Sequence, residues 1–163
     1  MSCGSEFETE SFITDTLLAI VEAQDRVDSG IDGPVGCNRA IQELIGGINP
    51  SGFNTIPVIL TLKATGLPFV AYGAIRENVT PSTSAIIYSA IFRVEEVDPD
   101  TGAASLELLT RSNVIPYISD TPITPNAALF DLNNEVLFGT DAFINVDLSS
   151  ILAVTCLPPT TIL

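Results

Sequence analysis

Apolar positions near the start of the chain recur every three or four residues, which is the period of a helix. Ser11 is placed to cap this helix, and segment 28–36, which contains Gly and Pro, ends it. A second, shorter helix is predicted over Asn38–Ile45. We therefore expect one or two helices in a helical segment spanning residues 11–47, preceded by a flexible N-terminal arm of residues 1–10. The predicted stripe of the first helix contains Ile13, Leu17, Ile20, Val21, Gln24 and Val27.

From Thr55 onward, short runs of Ile, Val, Leu, Phe and Tyr alternate with turn residues. Turn signals every 8–12 residues or so are typical of an antiparallel sandwich or barrel. The sequence therefore predicts a mainly β fold, an antiparallel and jelly-roll-like β-sandwich in residues 55–163. Together with the helical segment it would form a single domain of residues 11–163. The runs span residues 56–64, 68–75, 85–97, 104–110, 127–132, 135–139, 142–148 and 150–157.

The segment Asp98-Pro99-Asp100-Thr101-Gly102 separates two of these runs. Proline presets the backbone angle φ that a turn needs, and glycine accepts a positive φ. A β-hairpin is therefore predicted here. Carboxylates at alternate positions also resemble the opening of a calcium loop, but the later ligands of such a loop are missing, so the turn is the favoured interpretation.

Several of the predicted strands, such as those within 85–92 and 150–157, are apolar on both faces. A half-buried sheet normally alternates apolar and polar side chains, so such strands need a cover on each face. The cover is either the chain's own helix and second sheet or a neighbouring subunit. Apolar residues make up 46% of the chain and charged residues 16%. Since large exposed apolar patches usually mark interfaces, we expect self-association.

The charge balance excludes several classes of partner. The chain has 20 acidic residues against 6 lysines and arginines, a net charge of −14. A surface of this sign repels phosphate backbones and anionic membranes, so nucleic-acid binding is not expected. No apolar run reaches the length of a membrane span. The acidic, polar start of the chain lacks the features of a secretory signal, so we expect synthesis and retention in the cytoplasm of the producing cell.

Histidine is absent from the sequence. Ser-His and Cys-His nucleophile pairs and the usual zinc sites are therefore excluded. No catalytic, cofactor-binding or metal-binding residue is predicted, and we expect a protein that is not an enzyme. A glycosidase-like pair of carboxylates is a weaker alternative, because sequence spacing cannot show that two acids meet. A second alternative is a carbohydrate-binding or other ligand-binding module with cation-binding acidic loops, in which Tyr72, Tyr88 and Tyr117 would supply a stacking surface.

Three cysteines cannot all pair within one chain. Cys37 follows a Gly-Pro-Val-Gly loop and lies at a predicted helix start, where the thiol pKa is lowered and disulfide exchange is favoured. Cys3 lies near the N-terminus, within reach of a neighbouring subunit. Both are candidates for intermolecular disulfides. Cys156 alternates with apolar neighbours and is predicted to be a small, buried thiol.

Three segments in this order resemble the CotY/CotZ/ExsY-type spore coat and exosporium proteins: residues 55–73, 90–109 and 145–162. The resemblance also includes the N-terminal helix followed by the Gly36-Cys37 loop, and it is weak over 113–139. The motif positions that carry it are Pro68, Phe69, Tyr72, Phe92, Arg93, Val94, Asp147 and Leu148.

This resemblance implies a structural protein of the endospore surface, in the coat, crust or exosporium. It would be made in the mother cell and would self-assemble into a lattice or sheet, with itself and other spore coat proteins as partners. Family members are rich in cysteine, but two of the three cysteine positions in the C-terminal motif are occupied by Ser150 and Leu152. Assembly of this chain is therefore expected to depend on apolar and backbone contacts with few disulfides.

Overall fold

The structure, a computed structural model, describes residues 5–25, 36–45, 52–77, 83–111 and 136–162. Its strands form two antiparallel sheets, one of five strands in the order β6-β5-β4-β1-β7 and a two-stranded ribbon, β2–β3. The predicted mainly β, antiparallel fold with N-terminal helices is confirmed. The elements are α1 (Ser5–Asp25), α2 (Cys37–Ile45), β1 (Val58–Leu62), β2 (Ala71–Glu77), β3 (Thr83–Ser89), β4 (Phe92–Asp98), β5 (Ala103–Arg111), β6 (Leu137–Asp147), a 3-10 turn (Leu148–Ser150) and β7 (Ile151–Cys156).

Helix α1 buries the stripe that its periodicity predicts. Ile13, Leu17 and Ile20 are fully buried, and Gln24, the polar member of the stripe, is 6% exposed. The helix begins at Ser5 rather than Ser11, so residues 5–10, predicted as an arm, are helical. Helix α1 packs on β4, on β7 and on α2. Val27 and residues 1–4 lie outside the described part of the chain.

One face of the five-stranded sheet, here called the inner face, is covered by two different layers. Helix α1 lies over β4 and β7, and the ribbon lies over β5 and β6. The ribbon approaches closely at Gly73, where an added Cβ would lie 3.0 Å from Ala142 Cβ and 3.1 Å from a Leu108 methyl group. These layers share one core. The fully buried side chains of the inner face are Val58, Leu60, Phe92, Val94, Leu106 and Leu108.

The run predicted over 85–97 forms two strands rather than one. Strand β3 belongs to the ribbon and β4 to the large sheet, and the chain crosses between them at Ala90 and Ile91. Ser89 supports the crossing, because its hydroxyl donates to the Leu109 carbonyl at 2.6 Å and accepts from the Ile91 N–H at 3.1 Å. The hydrogen bonds of Ser89 thus stabilise the point at which one apolar run is divided between two sheets.

The runs predicted over 135–139 and 142–148 form the single strand β6. The residues between them, which resemble a turn, form an irregularity in the pairing with β5. Asp141 takes a φ of 58°, and the Thr140 hydroxyl donates to the Leu108 carbonyl at 2.6 Å. The β-bulge keeps the strand continuous, since an extra residue is absorbed without ending the ladder. The run predicted over 127–132 lies outside the described residues.

The β4–β5 hairpin is confirmed. Asp98 and Ala103 pair across it, and Gly102 adopts a φ of 71°. The Asp98 carboxylate accepts a hydrogen bond from the Asp100 N–H at 2.9 Å. The turn therefore depends on local contacts that its own five residues supply.

Candidate functional site

A disulfide joins the helical segment to the end of the chain. It links Cys37, the first residue of α2, to Cys156, the last residue of β7, across a sequence separation of 119 and a Cα–Cα distance of 4.8 Å. The two sulfurs meet because α2 packs against β7. This pairing corrects two expectations: Cys37 is bonded within the chain rather than to another copy, and Cys156 is a disulfide rather than a free thiol. Cys156 is 3% exposed. Cys3 lies outside the described residues.

Helix α2 lies against the edge of β7 that no other described strand pairs with. The Leu157 N–H donates to the Pro57 carbonyl, and Val58 is the register partner of Cys156. In an antiparallel ladder the backbone groups of alternate residues point away from the partner strand, so those of Val154 and Cys156 point outward from β1. Cys37 Sγ lies 3.8 Å from the outward Val154 carbonyl oxygen. The disulfide therefore holds α2 at a sheet edge, a position where unpaired strands otherwise invite pairing.

The motif residues Pro68 and Phe69 lie beside β1. The Phe69 N–H donates to the Leu60 carbonyl at 2.7 Å, and Pro68 bridges Thr61. The Phe69 ring stacks on Phe92 with centroids 5.7 Å apart. Strand β4 pairs with β1 only at Val58–Phe92. Pro68 and Phe69 lie beside the next residues of β1 on that same side, and the chain then continues into the ribbon.

The motif residues Asp147 and Leu148 form the turn between β6 and β7. Asp147 caps the 3-10 turn by accepting from the Ser149 hydroxyl at 2.7 Å and the Ser149 N–H at 3.0 Å. These hydrogen bonds lower the pKa of the Asp147 carboxyl, and the bond from the Ser149 hydroxyl has the larger effect. Leu148 is buried, and its N–H donates to the Gly102 carbonyl at 2.8 Å. The motif therefore ties the final strand to the β4–β5 hairpin.

The face of the ribbon directed away from the five-stranded sheet remains apolar and open. Tyr72 pairs with Tyr88, and Ala74 with Ile86. Alternate residues of a strand share a face, so these four side chains form one surface, here called the ribbon face. Tyr72 is 53% exposed and Ile86 47%. The outward side of β3 is therefore apolar, as the sequence of the run 85–92 predicts for both sides of the strand.

A sequence model of the family described as spore coat protein Z matches residues 1–159. The chain belongs to the spore coat protein Z family. No curated protein and no solved structure matches the chain. The resemblance drawn from the three motif segments is confirmed, and it extends over nearly the whole sequence. Membership assigns the chain to the structural proteins of the spore coat, deposited at the spore surface.

In this spore coat protein Z family member, the motif residues divide between core and surface. Phe92 and Val94 lie in the core and Tyr72 on the ribbon face. Arg93 faces the side of the sheet opposite the inner face, where its Nε lies 3.2 Å from Glu95 Oε1 in an ion pair. Most motif positions thus build the fold, while the side chains of Tyr72 and Asp147 are exposed.

Gln24 has a role that sequence reasoning missed. Its amide donates to the Val94 carbonyl at 2.9 Å and accepts from the Ile56 N–H at 2.9 Å. These backbone groups lie where β4 and β1 share a single register pair, so the side chain replaces missing ladder bonds. The available signal was a glutamine within an otherwise apolar stripe, since a buried amide needs partners.

Glu107 was also missed. It is 6% exposed and accepts from the Asp141 N–H at 3.1 Å. Burial is the main cause that raises the pKa of its carboxyl. The hydrogen bond from the Asp141 N–H and the Arg93 charge oppose this rise, and the nearby Glu95 and Asp141 charges add to it. An added Cβ at Gly139 would lie 2.6 Å from Glu107 Oε1, so glycine leaves the room that this carboxylate occupies.

The acidic turn at Asp98 shows the features of a hairpin. Backbone and side-chain hydrogen bonds from Asp100 and Thr101 lower the pKa of the Asp98 carboxyl. Within the described residues, no three His, Cys, Asp or Glu side chains are grouped as a metal site would require. In the same part of the chain, no helix has the length and apolarity needed to cross a membrane. Tyr117 lies outside the described residues.

Proposed function

We propose that this chain is a non-enzymatic, self-assembling structural subunit of the endospore surface, whose copies associate through apolar contacts rather than through dense disulfide cross-linking. Family membership supports the structural role at the spore surface. The observation that supports association is the ribbon face, where four apolar and aromatic side chains lie together: Tyr72, Ala74, Ile86 and Tyr88. Aromatic residues in such a surface are typical of interface cores.

The net charge sets a condition on this association. At −14, copies of the chain repel one another at low ionic strength. Salt screens that repulsion, since the Debye length is about 10 Å at 0.1 M and about 3 Å at 1 M, while apolar contacts persist. Assembly is therefore expected to increase with salt concentration, the opposite of an assembly held by exposed ion pairs.

The test is light scattering and negative-stain microscopy of the purified full chain with and without reductant. Wild-type protein is expected to form ordered assemblies in both conditions, more readily at higher salt. The double substitution Tyr72→Ser/Ile86→Ser should weaken assembly by more than tenfold in threshold concentration, roughly the effect of losing two interface anchors of 1 kcal/mol or more each. Phe12→Ser is the matched control, because Phe12 is 67% exposed and belongs to α1 rather than to the ribbon. A wild-type chain that stays monomeric at high concentration contradicts the proposal.

Disulfides between copies are proposed to involve Cys3. The sequence has three cysteines, and the internal bond uses Cys37 and Cys156, which leaves Cys3 for a bond between subunits. Cys3→Ser is expected to remove any reductant-sensitive dimer from a non-reducing gel while leaving assembly in solution intact. Loss of assembly in this variant would show that disulfides, not apolar contacts, hold the subunits.

Ligand binding is a second candidate function, favoured by the pairing of Tyr72 with Tyr88 on an open face. Two adjacent tyrosines can stack on a sugar ring. Calorimetry with soluble polysaccharides, and thermal melts with and without calcium, would detect it. Saturable binding that Tyr72→Ser abolishes, in a chain that does not assemble, would favour this function over the first.

A further inference from the structure

We infer that the Cys37–Cys156 disulfide is a redox-sensitive latch: it holds α2 over the free edge of β7, and reduction releases the helix and uncovers that edge. The inference concerns the single subunit. It holds or fails whether or not copies of the chain assemble.

Helix α2 is short, and its apolar packing depends on few side chains. It is 9 residues long, shorter than the 12–15 or so that an isolated helix needs to be even marginally stable in water. Ala40 and Leu44 are its buried apolar side chains, with Ile41 partly buried, and its contacts are mainly to α1 and to β7. Exposed Ile45, at its last position, adds little packing. The covalent bond at Cys37 therefore adds a fixed attachment to a helix whose apolar packing rests mainly on Ala40, Ile41 and Leu44.

Helix α1 differs in each of these respects. It is 21 residues long, buries Ile13, Leu17 and Ile20, and is bonded through Gln24 to Val94 and Ile56. Its attachment does not depend on a cysteine. Reduction is therefore expected to act on α2 selectively, as the local opening of a small unit and not as the loss of the whole helical layer.

The edge under α2 has the chemistry of a strand-pairing site. The outward backbone groups of Val154 and Cys156 point away from β1, and Cys37 Sγ occupies the position 3.8 Å from the Val154 oxygen. With α2 released, these groups form an unpaired strand edge, the surface to which another extended segment adds by backbone hydrogen bonds. The oxidised subunit hides this edge and the reduced subunit presents it.

The redox step is an ordinary thiol–disulfide exchange. A dithiol reductant attacks the Cys37–Cys156 bond through a mixed disulfide, and its second thiol displaces the remaining cysteine sulfur. The two protein sulfurs together gain two electrons and two protons and become thiols, while the reductant becomes a cyclic disulfide. Cys156 is 3% exposed, which leaves Cys37 as the sulfur that the reductant reaches first.

Residue-resolved hydrogen exchange on the full chain, with and without dithiothreitol, tests the latch. Reduction is expected to raise exchange in 36–45 at least about tenfold more than in 103–111, which form β5 between β6 and β4, because local opening precedes global unfolding. The amides of Ala153 and Thr155 point toward β1 and should follow β5. Equal increases in α2 and β5 would overturn the inference, since the bond would then stabilise the chain uniformly.

Two variants separate the bond from the packing. Cys37→Ala/Cys156→Ala should reproduce the exchange pattern of the reduced chain without reductant. Leu44→Ala removes a buried side chain from α2 but keeps the disulfide, and its effect on α2 exchange should be smaller than that of reduction. A larger effect would show that packing, not the disulfide, holds the helix. Cys3→Ala is the control for reductant acting elsewhere and should leave exchange in α2 unchanged.

Discussion

The inner face of the large sheet and the ribbon face come from similar sequences and have different surroundings. The inner face includes Phe92 and Leu108, both fully buried beneath a helix or the ribbon. The ribbon face includes Tyr72 and Ile86, each about half exposed. The sequence of a strand that is apolar on both sides therefore shows how much apolar surface the strand has, but it does not show what covers each side. In this chain the inner face is covered by the chain's own helix and ribbon, and the ribbon face is exposed.

The contrast is largest for the two aromatic motif residues. Phe92→Ala should lower the free energy of unfolding by about 3–5 kcal/mol, because it leaves a cavity and removes the stack on Phe69. Tyr72→Ala on the ribbon face should change it by less than about 0.5 kcal/mol in the monomer. Urea denaturation at low protein concentration measures both. Similar losses in the two variants would show that the ribbon face is covered within the monomer.

Gln24→Leu tests the polar contact that closes the inner face. The substitution leaves the Ile56 N–H and the Val94 carbonyl buried without partners, and we expect a loss of about 2–4 kcal/mol. Glu22→Leu, an exposed change on the same helix, should alter the stability by less than about 0.5 kcal/mol. If the two variants unfolded at the same urea concentration, the buried amide would have no special role.

Much of this arrangement is predictable where the signal is local. The β4–β5 hairpin follows from five adjacent residues, since Asp98 and Gly102 supply the turn's own hydrogen bond and positive φ. The buried stripe of α1 follows from its period. The same stripe contained the clue to Gln24, but its partners, Val94 and Ile56, lie 70 and 32 residues away, and only the tertiary fold identifies them.

Non-local pairing was less predictable. Cys37 and Cys156 are 119 residues apart, and no spacing rule connects a helix start with a strand end. The division of 85–97 at Ala90 depends on a contact from Ser89 to Leu109, and the continuity of β6 depends on a bulge at Asp141. In each case, the conformation of a residue that resembled a turn or an ordinary strand position depends on a contact with a residue distant in the sequence.

Glu107→Gln gives a smaller effect with a defined pH dependence. Because burial raises the pKa of Glu107 in the folded chain above 4.5, the folded state binds its proton more tightly than the unfolded state. Stability therefore falls as pH rises from about 4.5 through the raised pKa, and remains lower above it. The glutamine variant lacks this fall, so its stability relative to wild type should increase over that window, as thermal melts across pH would measure.

Asp98→Asn is the comparison with the opposite sign. The pKa of Asp98 is lowered below 3.8 in the folded chain, so its contribution is present above that value and is lost as pH falls through the folded pKa. The asparagine variant should therefore differ most from wild type near neutral pH and least in acid. A Glu107→Gln profile that followed this acid-side pattern would contradict burial as the cause of the Glu107 shift.

The disulfide also makes most of the chain a closed covalent ring. The seven strands that the structure describes lie between Cys37 and Cys156, so a protease that cuts once within 38–155 opens the ring without separating two fragments. Such a nicked subunit keeps its mass on a non-reducing gel and divides only when a reductant is added. For a protein deposited on the outside of a spore, a single proteolytic cleavage within this ring therefore does not release a fragment of the subunit.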